Sequence, residues 1–307
     1  MLGRKMKIRG KYLHVETYGY REKPALLYLH GGPGETCYDF TFNQKERLED
    51  SFYIVAIDQR GVGRSEAVGE KEEFGFQDLV EDCEALRKEL GIECWSIVGH
   101  SFGGFLGLTY VHQYPLSIHK VIFECPTFDF GLTSKELLQK AAKLFEKYGM
   151  DELKKEAFAL IMSDSSTREL TEGYHRLSDR LGEKRMEIYR YIPENPTDYY
   201  AAYSEEEWEA FFDNSEYHGK LLFEEGIIFE SLLPKLKEVK VPMLLMTAEH
   251  DAVTCKYHIE AFKKDAENGE TIHFEQCGHT PHYEDPDRFE EIVKDYLKTE
   301  VATSTDL

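Results

Sequence analysis

Ile97-Val98-Gly99-His100-Ser101-Phe102-Gly103-Gly104 is the stretch whose reading decides the fold. An apolar run, Trp95 to Val98, leads into it, and a helical pattern, Phe105 to Tyr114, leads out. Gly-x-Ser-x-Gly between a strand and a helix predicts a very sharp turn that lifts Ser101 clear of the sheet edge. Glycine is needed at 99 and 103 because a side chain at either position would strike the neighbouring turn. The helix that follows points its positive end at the Ser101 oxygen. The Phe102 N–H is free to bind a developing oxyanion. A glycine-rich turn with an incidental serine fits the same eight residues, so the rest of the chain has to decide.

Outward from the elbow, strand signals alternate with glycine turns and helices. Tyr12–Tyr18 alternates weakly and predicts an edge strand. Ala25–Leu29 is a continuous apolar run, as expected of a buried strand, and ends in His30-Gly31-Gly32-Pro33-Gly34. Phe52–Ile57 is another, followed by Asp58-Gln59-Arg60-Gly61-Val62-Gly63-Arg64-Ser65. Gln77–Leu90 predicts a helix with Leu79, Cys83, Leu86 and Leu90 on one face and Gly91 as its stop. Lys120–Phe123 and Val241–Met246 are further strands, and Thr271–Phe274 is a short one. Helices are expected at Tyr257–Ala266 and Asp287–Leu297. This order predicts an α/β fold, a mostly parallel sheet with helices on both faces.

Between residues 127 and 232 strand signals vanish. Helices are predicted from Ser134 to Gly149, from Leu153 to Met162, and from a Ser166/Glu169 capping box to Leu181. Asn195-Pro196 breaks the chain, and Ser204 with Glu207 opens another helix. The expected organisation is a core in two parts, 1–126 and 233–307, with an all-helical cap insertion, 127–232, over the active site.

The 307 residues carry a net charge of −21, which disfavours nucleic acid and anionic membrane as partners. The six cysteines form no C-x-x-C pair and read as reduced thiols in a cytoplasmic protein. There is no basic start followed by an apolar h-region, and no apolar run of membrane-spanning length.

A serine hydroxyl needs a base within hydrogen-bond reach and a third group to orient that base. In this topology the acid and the histidine should follow late, each from a loop after a strand. Asp251 and His279 stand at those positions. Asp251 also reads as a helix cap, and His279 as a loop histidine bound to backbone. His282 is the rival base and Glu124, after the Lys120–Phe123 strand, the rival acid, while His100 and His250 flank the candidates. The second oxyanion donor should come from the turn after Ala25–Leu29. Pro33 has no N–H, which leaves Gly32 beside Phe102. Glu35 follows that loop and could attract a substrate ammonium, although a solvated loop acid explains it as well. Together these features predict a serine hydrolase acting through an acyl-enzyme on a small molecule or short peptide, with no metal or cofactor. A serine rather than a carboxylate at 101 argues against the epoxide hydrolases and dehalogenases of this fold. A non-catalytic binding protein would not require both oxyanion elements.

The chain resembles the α/β-hydrolase superfamily along most of its length. Within it, His30-Gly31-Gly32-Pro33-Gly34 with Asp58-Gln59-Arg60-Gly61-x-Gly63-x-Ser65 is similar to the proline iminopeptidase-like group. The resemblance implies a triad of Ser101, Asp251 and His279, oxyanion donors Gly32 and Phe102, and an aminopeptidase releasing N-terminal proline. It also implies cap glutamates holding the substrate's amino end. Glu205, Glu206, Glu207, Glu216, Glu224 and Glu225 are available, and each reads equally as solvated surface. The elbow departs from the group: Gly-Gly-Ser-Trp is usual there, whereas Gly99-His100-Ser101-Phe102 is the commoner form in esterases. A carboxylesterase or lactonase with the same triad is the alternative.

Overall fold

The computed structural model describes residues 3–192 and 203–298. Eight strands form one sheet: β1 (Arg4–Ile8), β2 (Lys11–Tyr18), β3 (Ala25–Leu29), β4 (Tyr53–Ile57), β5 (Trp95–His100), β6 (Ile118–Glu124), β7 (Met243–Ala248) and β8 (Gly269–Phe274). Their order is β1-β2-β4-β3-β5-β6-β7-β8. β1 and β2 pair antiparallel, β2 pairs antiparallel with β4, and every other pairing is parallel. The edge strand is thus β1, and β2 lies inside it. Arg4–Ile8 is a short basic segment in which only Ile8 is buried, so its strand character is weak in the sequence.

The apolar runs are buried on both faces because alternate residues feed two separate cores. Tyr53, Val55 and Ile57 of β4 enter one, with Leu27 and Leu29 of β3 and Met243 and Leu245 of β7. Ile54, Ala56, Leu26, Tyr28, Leu244 and Met246 enter the other. The first core is covered by α2 (Phe76–Glu89), α3 (Phe102–Gln113) and α8 (Lys256–Asp265). The second is covered by α1 (Tyr38–Leu48) and α10 (Pro286–Lys298), joined at one end by the short α9 (Pro281–Glu284). The carboxyl ends of the parallel strands all open on one side, which is where such sheets hold ligands.

Among the described residues, the segment between β6 and β7 contains helices and no strands. These are α4 (Phe130–Lys147), α5 (Asp151–Met162), α6 (Thr167–Ser178) and α7 (Glu205–Glu225), with short 3₁₀ segments between and after them. α4 begins four residues before Ser134, because the Asp129 carboxylate accepts the Leu132 N–H at 2.9 Å and caps it there. The Ser166/Glu169 and Ser204/Glu207 capping boxes both form. α6 stops at Ser178, and a 3₁₀ run interrupted at Gly182 (φ 56°) follows. Asn195-Pro196 lies outside the described residues. The core of α4–α6, built from residues such as Leu138, Phe145 and Leu177, also takes in Ala252 and Val253 from the loop after β7. No described helix is long and apolar enough to cross a membrane.

Candidate active site

β5 ends in the elbow. Ser101 has φ 54° and ψ −117°, a conformation a non-glycine residue adopts only under constraint. The constraint comes from both sides. Ser101 N–H donates to the Glu124 carbonyl at 3.0 Å, and its own carbonyl accepts Gly104 N–H at 2.9 Å and Thr127 N–H at 3.2 Å. A Cβ at Gly99 would lie 2.5 Å from the Gly103 oxygen, and one at Gly103 would lie 2.0 Å from the Leu29 oxygen. Both glycines are therefore steric requirements. Phe102 opens α3 with its ring buried against Phe76 and Phe105. As the first helical residue it keeps an N–H that no helical carbonyl can reach.

The loop after β3 lies against the elbow. The point where a Gly31 Cβ would stand is 3.1 Å from Ser101 Cβ, 3.1 Å from His100 Cδ2 and 2.7 Å from Glu35 Oε2. Gly32 sits at φ +110°, where a Cβ would meet Gly34 N at 2.4 Å. The Asp58–Ser65 motif braces this loop. Asp58 is fully buried and accepts Cys37 N–H at 2.9 Å, Arg64 N–H at 3.0 Å and Arg64 Nε–H at 2.7 Å. Burial works against the Asp58 charge, but the Arg64 guanidinium holds its carboxyl well below the usual range. His30 is buried as well. Its Nδ1 donates to the Gly31 carbonyl at 2.9 Å and its Nε2 accepts Gln59 N–H at 3.0 Å. α7 closes over both loops: Gly63 N–H reaches Ser215 Oγ at 3.3 Å, and His218 Nδ1 donates to the Arg60 carbonyl at 2.7 Å. Burial lowers the His218 pKa to about 3, so this imidazole is neutral.

Asp251 and His279 come together across 28 positions of sequence, with His279 Nδ1 2.9 Å from Asp251 Oδ1. Asp251 also accepts Val253 N–H and Thr254 N–H, each at 2.9 Å. It therefore shapes its turn as a capping residue does while facing the histidine. Burial opposes its charge, yet His279 and the two N–H groups keep its pKa below the ordinary value. An ionised carboxylate can only accept, so the proton between the two groups sits on Nδ1. Among the described residues, Nε2 has no hydrogen-bond partner, and the Ser101 hydroxyl is not bonded to it. The His279 ring lies 4.6 Å, centroid to centroid, from the ring of His100, the residue before Ser101.

His282 and Glu124 also meet, but with each other. Glu124 accepts His282 N–H at 2.7 Å, and both its oxygens lie 2.9 Å from His282 Nδ1. His282 Nε2 is 3.2 Å from Asp39 Oδ2 on α1. Burial disfavours the imidazolium, but Glu124 and Asp39 outweigh it and push the pKa of His282 up to about 10. Glu124 in turn lies well below the carboxylate range despite complete burial. His100, at 3.4 Å from Glu124, completes the cluster. His250 stacks on Tyr191, centroids 4.4 Å apart. Among the described residues, two groups have the composition of a metal site, His100–Glu124–His282 and Cys125–Asp251–His279. In each the carboxylate is already engaged by an imidazole.

Glu205, Glu206, Glu207, Glu216, Glu224 and Glu225 are all exposed on α7. Glu207 caps its own helix and Glu225 accepts Phe76 N–H at 2.9 Å, capping α2. The Asp39–His282–Glu124 cluster has no local sequence signature, since its members are separated by as many as 243 positions.

A family model described as the alpha/beta hydrolase fold matches residues 24–286. A proline iminopeptidase of Thermoplasma volcanium is 26% identical over 298 residues, 96% of each chain. Epoxide hydrolase 3 of Xenopus tropicalis is 24% identical over 311 residues, 96% of this chain and 77% of that one. The crystal structure of a proline iminopeptidase from Mycobacterium smegmatis matches with a TM-score of 0.71 at 19% identity, over 96% of this chain and 97% of that one. With the family model spanning most of its length and an eight-stranded, mostly parallel sheet beneath it, the chain belongs to the alpha/beta hydrolase fold family and is a hydrolase.

Proposed function

We propose that the protein is a serine hydrolase whose triad is Ser101, Asp251 and His279. One observation carries this assignment: His279 is bound through Nδ1 to a buried carboxylate while its Nε2 stays unclaimed, in a loop that meets the elbow. Ser101 Oγ attacks the substrate carbonyl as His279 Nε2 takes its proton. Asp251 fixes the tautomer and stabilises the imidazolium. The N–H groups of Gly32 and Phe102 receive the oxyanion. His279 then protonates the leaving group; it next takes a proton from water, which attacks the acyl carbon, and returns that proton to Ser101 Oγ as the acyl–Oγ bond breaks. Serine at 101 supports this chemistry over the carboxylate-nucleophile chemistry of epoxide hydrolases. Residues 127–232 serve as the cap, and six unpaired cysteines, Cys94 alone exposed, favour a cytoplasmic setting.

The preferred substrate is a short peptide with N-terminal proline. Its support is the loop pair His30–Gly34 and Asp58–Ser65, which resembles the proline iminopeptidase-like group, and an acid, Glu35, at the mouth of the elbow. An ester or lactone is the second substrate class, favoured by the His100-Ser101-Phe102 elbow. Fluorophosphonate labelling tests the nucleophile: wild type should label and Ser101→Ala should not. Turnover of a prolyl anilide against a short-chain aryl ester tests the substrate. Ester turnover without prolyl release rejects the peptidase.

A further inference from the structure

We propose that Glu284, at the end of α9, is a positioning residue that locks the His279 loop to the helical insertion, so that the general base is set only while the insertion is seated. The inference rests on His279 being that base. One carboxylate links two chain segments. Its Oε1 accepts Gly278 N–H at 3.1 Å and Thr280 Oγ–H at 3.2 Å, one residue to either side of His279. Its Oε2 accepts Tyr191 N–H at 2.8 Å and Ile192 N–H at 3.2 Å, which belong to the insertion. The two oxygens divide the segments between them, so the group acts as a cross-link.

Three further features bear on the same contact. His279 N–H donates to the Tyr189 carbonyl at 2.6 Å, so the insertion's backbone holds the histidine directly. The Tyr189 ring lies 5.6 Å from the His279 ring, and its hydroxyl is 2.5 Å from that of Tyr174 on α6. Gly278 has no room for a side chain: a Cβ there would stand 2.4 Å from the Tyr189 oxygen, 2.6 Å from Glu284 Oε1 and 2.7 Å from Tyr191 N. That glycine is dictated by the close approach of the insertion, since its backbone is not in the left-handed region. The acid loop is gripped from the same side. Lys140 of α4 donates to the His250 carbonyl and Thr133 Oγ donates to the Val253 carbonyl at 2.9 Å. Both partners of the acid–imidazole pair are thus held by the segment expected to lie over substrate.

A small displacement of a catalytic base can cost on the order of 100-fold in rate. Glu284→Ala should therefore lower kcat on the order of 10- to 100-fold while KM changes less than about twofold. Glu284→Gln keeps the shape but loses acceptor capacity, and should fall between. The downfield proton resonance of the His279–Asp251 hydrogen bond should broaden in both variants and stay sharp in Ser101→Ala. Wild-type kcat with a wild-type resonance in Glu284→Gln and Glu284→Ala overturns the proposal. If Glu284→Ala does not fold, Glu284→Gln decides by the same two readouts. His279→Ala separates the two levels: its retaining activity removes the base assignment itself, whereas an inactive His279→Ala beside fully active Glu284 variants removes the lock alone.

Discussion

Two carboxylate–imidazole pairs lie behind the elbow, Asp251 with His279 and Glu124 with His282, and each carboxylate meets its imidazole at 2.9 Å. Burial does not separate them, since His279 is 6% exposed and His282 1%. Occupancy of the second ring nitrogen does. His282 offers Nδ1 to Glu124 and Nε2 to Asp39, so it is held doubly protonated and has no lone pair to offer. His279 spends Nδ1 on Asp251 and keeps Nε2. A strong acid–histidine contact is thus no sign of a general base. The lesson is that a base must be half-satisfied, and a fully satisfied imidazolium is a structural cation.

The two pairs should respond oppositely to mutation. Ser101→Ala and His279→Ala should each lower kcat by on the order of 10⁴-fold or more with little change in thermal stability. Asp251→Asn should cost on the order of 10³- to 10⁴-fold, because an amide presents the wrong hydrogen-bonding pattern to Nδ1. His282→Gln should do the reverse. It leaves the Glu124 carboxylate buried without its cation, a loss of roughly 3–5 kcal/mol in denaturant unfolding. An inactive but fully stable His282→Gln would overturn the division of labour.

The same contrast predicts a pH dependence of stability. The folded-state pKa of His282 is raised above its ordinary value to about 10. Its contribution is therefore complete below its unfolded pKa, about 6.5, and lost as pH rises toward 10. Glu124, held low, contributes above the ordinary carboxylate range and loses that only in acid. Melting temperature should fall between about pH 6.5 and 10 in wild type, and more shallowly in His282→Gln. Equal slopes would mean that His282 is not the buried cation.

What could be read from the sequence was whatever is fixed locally. Gly99, Ser101 and Gly103 dictate the bend through contacts within a few residues and with the adjacent β3, so the elbow is written in one pentapeptide. The alternation of Leu26 to Leu29 between two cores follows from strand geometry alone. Asp251 and His279 could be placed because each follows a strand signal. What escaped depends on distant partners. Glu124 finds His282 across 158 positions, and Glu284 bonds to the backbone of Tyr191 and Ile192, which any side chains could supply. Helix α1 carries no clear apolar periodicity because its buried residues include Thr41 and Gln44 beside Phe40 and Leu48. Gln44 is inside because its amide donates to the His282 carbonyl at 2.7 Å, a tertiary reason invisible to periodicity. The Asp58–Ser65 motif is legible as a family mark, while its work of bracing the His30–Gly34 loop shows only in the contacts of Asp58 and His30.

The weakest contribution is expected on the open side of the Asp251–His279 pair. Glu35 Oε2 lies 2.7 Å from the same Gly31 point that touches Ser101 Cβ and His100 Cδ2. Its charge is also among those acting on Tyr28, His30 and Tyr189. It therefore faces the elbow even though it is exposed to solvent. A substrate whose free amino group sits on the carbon next to the attacked carbonyl would bring a cation to this acid, whereas an aryl ester would bring none. Solvent screening keeps such a contact weak, so Glu35→Gln should raise KM for a prolyl anilide only about threefold and leave ester KM unchanged. Equal KM changes for both substrates would make Glu35 a general feature of the loop rather than a recognition element. An unchanged KM for the anilide would move the search for the ammonium partner elsewhere, because the exposed acids Glu207 and Glu225 are already committed to capping helices.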